Sequence, residues 1–275
     1  MRFLFLFGSA ALAVVSSPAV AQDADNWSGF YVGGKVGYAF QSDGSSESIE
    51  FDNNLDGQFG DIVRTSGGAD AFSPGFCDGA ANTSLPADGC DEDSDGLDWS
   101  VHAGGDVQFG RIVVGALLEY GSADVEDSVT AFSVTPANYV MTRKLKGTVG
   151  LRARAGVALD GGFLPYVTAG LVRAKVKSSF STTNGVNAFG FENSNETQPG
   201  YRLGAGLEKR FGNASIGLLY LYTSIKDDDY RVNVTQGTAG ATNPFILVNP
   251  NGTQFRRSDE RIGYHSLGLT ASYRF

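Results

Sequence analysis

The sequence predicts an all-β chain folded as an eight-stranded antiparallel transmembrane β-barrel, with long extracellular loops and short periplasmic turns. Three observations predict it. Eight segments alternate apolar with small or polar residues at a period of two. The connections between them alternate between tight turns and long polar stretches. After the first residues, no run is apolar and long enough for a spanning helix.

The chain has 275 residues. Met1-Arg2 gives a short positive start, 3–15 is almost wholly apolar, and Ser16-Ser17-Pro18 breaks that run. Ala19-Val20-Ala21 has the small-x-small form of a cleavage site. Residues 1–21 therefore read as a secretory signal peptide, and 22–275 as the barrel domain. The apolar run is too short for a membrane helix.

The first strand is expected over 29–41. Phe30, Val32, Gly34, Val36, Tyr38 and Phe40 share one face, with Lys35 opposite. The second covers about 97–109, and Gly110-Arg111 turns the chain into the third, 112 to about 123, with Glu119 opposite its apolar face. In the fourth, Leu145, Gly147, Val149, Leu151, Ala153 and Ala155 share a face, against Lys146, Arg152 and Arg154 on the other. A Lys or Arg facing mid-bilayer lipid costs roughly 2–4 kcal/mol, so this strand should turn its charges inward. The fifth covers 163 to about 178, with Arg173 and Lys175 expected inward and Tyr166 outward. The sixth covers 200–211, the seventh 214 to about 223, and the eighth 262–275. Long loops are left at about 42–96, 124–143, 179–199 and 224–261.

Aromatic residues near strand ends, including Trp27, Trp99, Phe109, Tyr120, Tyr166, Tyr220 and Phe275, are expected to form interfacial girdles. The lumen of eight strands is just wide enough for side chains to fill. Its expected charge network is Lys35, Asp106, Glu119, Arg152, Arg154, Arg173, Lys175 and Glu208, with Lys146 and Arg202 beside them. Such a set reads as an ion-paired plug; the competing reading is a narrow channel for ions or small solutes.

The formal charge is −9, and removing Arg2 with the leader makes it more negative. That balance argues against nucleic acid as a partner. Two cysteines, Cys77 and Cys90, lie close in an exported chain and are expected to form a disulfide.

Several motifs resemble one family. Trp27-Ser28-Gly29-Phe30-Tyr31-Val32-Gly33 resembles the opening strand of small OmpA-like, opacity-type outer-membrane proteins. Gly115-Ala116-Leu117-Leu118-Glu119, Gly150-Leu151-Arg152-Ala153-Arg154-Ala155-Gly156, Leu164-Pro165-Tyr166-Val167-Thr168-Ala169-Gly170, Gly204-Ala205-Gly206-Leu207-Glu208 and Tyr273-Arg274-Phe275 continue the likeness in order. The resemblance implies an eight-stranded barrel in the cell outer membrane. It also implies that the last strand, through Tyr273 and Phe275, is read by the outer-membrane assembly machinery. Leu219 departs from the inward acid expected in the seventh strand. The first and fourth long loops are larger than expected.

Other chemistry is weakly signalled. Asp91-Glu92-Asp93-Ser94-Asp95-Gly96 matches the start of a calcium loop, but its twelfth position is His102 rather than a bidentate Glu. No metal or cofactor is expected. A Ser-His-acid set could draw only on His102, with Ser100 and Asp106 on its face, or on His265, whose neighbour Ser266 faces the other way. No enzymatic activity is expected. With the chain ending on its last strand, no wall-binding domain is expected to follow. The expected function is structural and surface-interacting, with outer-membrane lipid as surroundings and an unidentified extracellular ligand for the loops. Phe76, Phe132, Tyr139, Phe189, Phe245 and Phe255 are interspersed there.

Overall fold

The computed structural model describes residues 26–41 and 47–275; the expected signal peptide lies outside them. Among the described residues no helix is long and apolar enough to cross a membrane. Eight strands form the wall: β1 (Gly29–Phe40), β2 (Gly96–Phe109), β3 (Ile112–Ala123), β4 (Ala137–Val157), β5 (Phe163–Thr182), β6 (Asn195–Phe211), β7 (Ala214–Lys226) and β8 (Arg261–Arg274). Each pairs antiparallel with its sequence neighbours. The barrel closes where β8 pairs with β1, from Tyr31↔Arg274 to Phe40↔His265. Closure leaves no strand edge in the bilayer, where an unpaired backbone group would have no water to bond.

The short turns fall where expected. Phe109 pairs with Ile112, and Phe211 with Ala214. Gly110 and Gly212 take φ of 61° and 60°, which suits a two-residue hairpin turn and strains any residue with a Cβ.

The wall presents its apolar side outward. Leu171 is 73% exposed and Val167 63%, as a lipid-facing band requires. Two girdle aromatics are placed differently from expectation. Trp27 and Tyr166 are buried inside the barrel, where Trp27 packs with Val113, Leu164 and Leu219.

The fifth strand has the opposite phase to the one expected. Leu164, Tyr166, Thr168 and Val172 point inward, and Arg173 and Lys175 are exposed on the outer surface. Height explains this. Arg173 pairs with Val149, which pairs with Tyr120, so Arg173 stands at the level of the outer aromatic girdle. There an outward charge meets headgroups and water and costs ~0–1 kcal/mol rather than the mid-bilayer penalty. The chain therefore keeps Val167 and Leu171 in lipid.

β4 changes phase for a second reason. Gly147 pairs with Lys175 but Leu145 with Val176, so Lys146 is the extra residue of a β-bulge. Below it Val149 and Leu151 face outward; above it Leu145 turns inward and is buried. Lys146, expected inward, is exposed.

Over their described residues the long connections form strands and turns of their own. Wall strands β4 to β7 run past their expected ends, and the connections between strands build a cap. Strands Ala188–Glu192, Arg231–Thr235, Thr253–Arg257 and Ile49–Asp52 form one sheet. Glu126–Ser133 forms a hairpin with the start of β4, and Gly75–Asp78 joins it. The cap has its own apolar core, including Phe51, Phe72, Tyr139, Val232, Phe245 and Phe255. Phe51 stacks on Phe72 with centroids 4.4 Å apart, at the close limit of favourable ring pairs. Of the aromatics expected on accessible loops, Phe132, Tyr139, Phe245 and Phe255 are buried, Phe189 packs at the core's edge and Phe76 is exposed. The Cys77–Cys90 disulfide ties the first connection, with Cα atoms 6.5 Å apart.

Candidate functional site

Six of the expected network residues, Lys35, Asp106, Glu119, Arg152, Arg154 and Glu208, are buried in the lumen, and Arg202 joins them. Arg173 and Lys175 do not, for the reason of height given above. Period-two alternation delivers each inward side chain from its strand, and strand pairing sets the height at which it arrives.

The charges form three groups. At the lower level Asp106 accepts from Arg154 Nε at 2.9 Å and from Arg274 Nη2 at 2.6 Å. Arg154 Nη1 donates to Glu208 at 2.7 Å. The Tyr31 ring lies against both guanidinium groups, 4.6 Å from Arg154 and 4.9 Å from Arg274. At the middle level Glu119 accepts from Arg152 Nε at 3.0 Å and from Arg202 Nη1 at 2.7 Å. Arg202 Nη2 donates to the Thr148 and Tyr264 hydroxyls at 3.1 and 3.0 Å, and its Nε to the Thr223 hydroxyl at 3.1 Å. A third group pairs Lys35 with Asp98, and Lys35 also donates to Ser266 at 3.0 Å.

Glycines make room for these side chains. Gly115 lies beside Asp106 across the β2–β3 pair, and a Cβ there would overlap the carboxylate. A Cβ on Gly217 would come within 2.7 Å of Glu208 Cγ. The inward glycine stripe read as merely small is thus the space that the charged groups occupy.

Sequence reasoning missed Asp98, Arg274 and Tyr31. Asp98 was visible on the polar face of its strand. Arg274 alternates with Tyr273 and Phe275 and so had to face inward. Tyr31 carried no signal beyond its parity.

Apolar clusters flank the network: Trp27, Val113, Leu164 and Leu219 belong to one, and Leu145, Val172, Ile225, Ile262 and Tyr264 to another. The Asp106 side chain is 0% exposed and that of Glu119 1%. The arrangement holds each charge against a partner and leaves the carboxylates out of contact with water.

A second polar centre lies where the cap meets the wall. Arg143 is fully buried and reaches Asp127 at 2.8 Å and Asp259 at 2.6 Å. Arg257 pairs with both Asp127 and Glu47. Oxygens of Glu47, Asp127 and Asp259 lie within 4.8 Å of one another, a spacing that could suit a cation. Two guanidinium groups already take those oxygens, so the donor set does not fit a metal. The calcium-loop spacing does not assemble a site either. Asp93 accepts from Ser128 N and Asp95 from Gln41 N, while Asp91 is exposed in a short strand pair.

This centre titrates near neutrality. Burial pushes Glu47 up to about 7 despite Arg257, and burial together with Asp127 pushes Asp93 up to about 7. Burial opposes Asp127 as well, but Arg143 and Arg257 outweigh it and hold this carboxyl below its ordinary value. Between about pH 4 and 7 the folded cap therefore binds more protons than the unfolded chain, through Glu47 and Asp93. Its stability falls as pH rises across that window and levels off above it. The Asp127 contribution is intact throughout and is lost only at lower pH. Hydrogen exchange, corrected for the intrinsic pH dependence, should show faster opening of the cap strands at pH 8 than at pH 5.

No potential catalytic set is assembled around His102. Its Nε2 lies 3.1 Å from Ser272 Oγ and its ring meets Tyr31 edge-on, while Asp106 is held by two arginines. Tyr273 and Phe275 are exposed on the outer wall with ring centroids 5.3 Å apart, and Phe275 N donates to Phe30 O at 2.9 Å.

A family model described as "Outer membrane protein beta-barrel domain" matches residues 7–275. Among solved structures, the outer membrane protein OprG from Pseudomonas aeruginosa is similar at 12% identity and a TM-score of 0.43, covering 92% of this chain and 100% of that one. Neisserial surface protein A (NspA) is similar at 13% identity and a TM-score of 0.37, covering 90% of this chain and 98% of that one. No curated protein matches the sequence.

Proposed function

This chain belongs to the outer-membrane β-barrel domain family, and on that premise we propose that it is a closed, non-enzymatic scaffold that presents a folded cap at the cell surface. One observation carries the reading: the lumen charges are paired with one another and hidden from water, with Asp106 and Glu119 at 0% and 1% exposure. A channel for ions or small solutes needs a wetted lining, which this network does not offer. Surface interaction then falls to the cap, whose packed core holds its exposed residues in a fixed arrangement. In this reading residues 1–21 are removed on export, and the assembly machinery reads the last strand through Tyr273 and Phe275. Ser272 and Tyr31 take the contacts of His102, which supports a structural rather than a chemical role for it.

The orientation can be tested with epitope tags at two exposed glycines. Gly240 lies in the fourth long connection and Gly212 in a short turn, and a Cβ at either would meet nothing within 4 Å. A tag after Gly240 should be stained on intact cells. A tag after Gly212 should be stained only once the outer membrane is permeabilised. The reverse pattern would refute surface presentation.

A further inference from the structure

The outer wall carries a group of bases that the barrel itself does not use. Lys146, Arg173 and Lys175 are exposed on β4 and β5. Among the described residues none of them makes an ion pair or a side-chain hydrogen bond. Their neighbours differ: Lys144 reaches Glu126 at 3.0 Å, and Arg261 lies over the Tyr201 ring at 5.3 Å. An unpaired basic group on a chain of net charge −9 is not a general feature of its surface.

We propose that Lys146, Arg173 and Lys175 bind the phosphorylated headgroup of a lipid in the outer leaflet. Their height carries the argument. Arg173 shares a rung with Val149 and Tyr120, and Lys175 stands two residues further out, beside the bulge that exposes Lys146. One rung pair inward lie Leu151 and Leu171, 56% and 73% exposed. A lipid whose chains lie against those leucines has its headgroup at the three bases. Arg173 supplies a planar fork suited to two phosphate oxygens, and the lysines supply point charges. The bulge has a function in this account. Without the extra residue, continued alternation from Val149 and Gly147 would leave Lys146 on the inward face. Lys177 continues the outward stripe two residues beyond Lys175 and adds charge above the site.

The proposal rests on the orientation argued above, with the cap outside; the Gly240 tag reads that orientation without reference to lipid. The test compares the wild-type chain with K146Q/R173Q/K175Q, each refolded to its heat-modifiable form. Native mass spectrometry in detergent then follows retention of diphosphoryl lipid A, with phosphatidylcholine and inorganic phosphate as comparison probes. The wild-type protein should retain lipid A selectively. Each lost charge should weaken retention roughly fivefold, so the triple variant should lose on the order of 100-fold. Phosphatidylcholine and free phosphate should be retained by neither. K175R, which keeps the charge, should stay close to wild type. Equal retention of lipid A by wild type and triple variant would overturn the proposal, as would equal retention of phosphatidylcholine and lipid A. If the triple variant fails to refold, K175Q alone reads the same question through its fivefold loss.

Discussion

Replacing Asp106 with alanine is expected to destabilise the folded barrel by about 3–5 kcal/mol, the usual cost of removing one partner from a buried ion pair. Asp106 holds Arg154 and Arg274 together, and its side chain is 0% exposed. Without it Arg154 keeps Glu208, and Arg274 keeps backbone carbonyls such as that of Gly29 at 3.1 Å. Arg274 is left with no carboxylate and Arg154 with one, and both remain buried around the Tyr31 ring. The space beside Gly115 would also be left open. A urea titration of the protein in lipid vesicles, followed by the heat-modifiable gel shift, should show an earlier midpoint. The exposed pair between Arg111 and Asp160 serves as the contrast. Its atoms are 3.5 Å apart with side chains 70% and 94% exposed, so R111A should change stability by roughly 0.5 kcal/mol or less. Equal effects of D106A and R111A would mean that the lumen network is solvated.

Arg143→Ala should have an effect of similar size confined to the cap, about 3–5 kcal/mol. Arg143 donates to Asp127, to both the carboxylate and the carbonyl oxygen of Asp259, and to the carbonyl of Arg261. Removing it leaves Arg257 to balance Asp127 and Glu47 alone. The cap strands lie on the far side of this centre from the membrane, and the wall keeps its own hydrogen-bond ladder. Hydrogen exchange should therefore rise in Thr253–Arg257 and Arg231–Thr235, while the heat-modifiable shift of the barrel stays at the wild-type position. Arg143→Lys should recover only part of the loss, because an ammonium group cannot reach several acceptors in the planar arrangement that the guanidinium uses. Unchanged exchange in the cap would show that this centre does not hold it to the wall.

The wall was legible in the sequence because a strand that faces lipid on one side must alternate, and most strands do so cleanly. β1, β2, β3 and β8 could be placed almost residue by residue. Two errors have definite causes. In β5 an inward reading of the bases holds only if every outward charge meets hydrocarbon. Arg173 and Lys175 lie at or beyond the girdle, and a sequence does not state the height of a residue. In β4 one extra residue at Lys146 reverses the alternation, and a bulge leaves no signature in residue type. The lumen network was legible as a set of inward charges but not as specific pairs. Pairing depends on strand stagger, which decides that Glu119 meets Arg152 and Arg202 while Asp106 meets Arg154 and Arg274.

The cap was the least legible part. The four strands of its main sheet are four or five residues long and separated by polar stretches rich in Asp, Asn and Gly. They bury few large apolar side chains, two in Arg231–Thr235, one in Thr253–Arg257 and none in Ala188–Glu192, so no single segment shows a strong pattern. Phe51 and Phe72 of the first connection and Phe245 and Phe255 of the fourth come together only because the barrel brings the ends of its connections to one place. The aromatics scattered through those stretches read in the sequence as part of a binding surface, and four of the six, Phe132, Tyr139, Phe245 and Phe255, are instead buried.

A closed lumen is the central claim, and electrical recording tests it most directly. Refolded wild-type protein inserted into a planar lipid bilayer at neutral pH should give no stable single-channel steps. Insertion should be confirmed independently by the heat-modifiable shift of the same preparation. Reproducible steps of one size from wild-type protein so verified would contradict the account, because ions do not pass through a lumen filled with paired, buried charges.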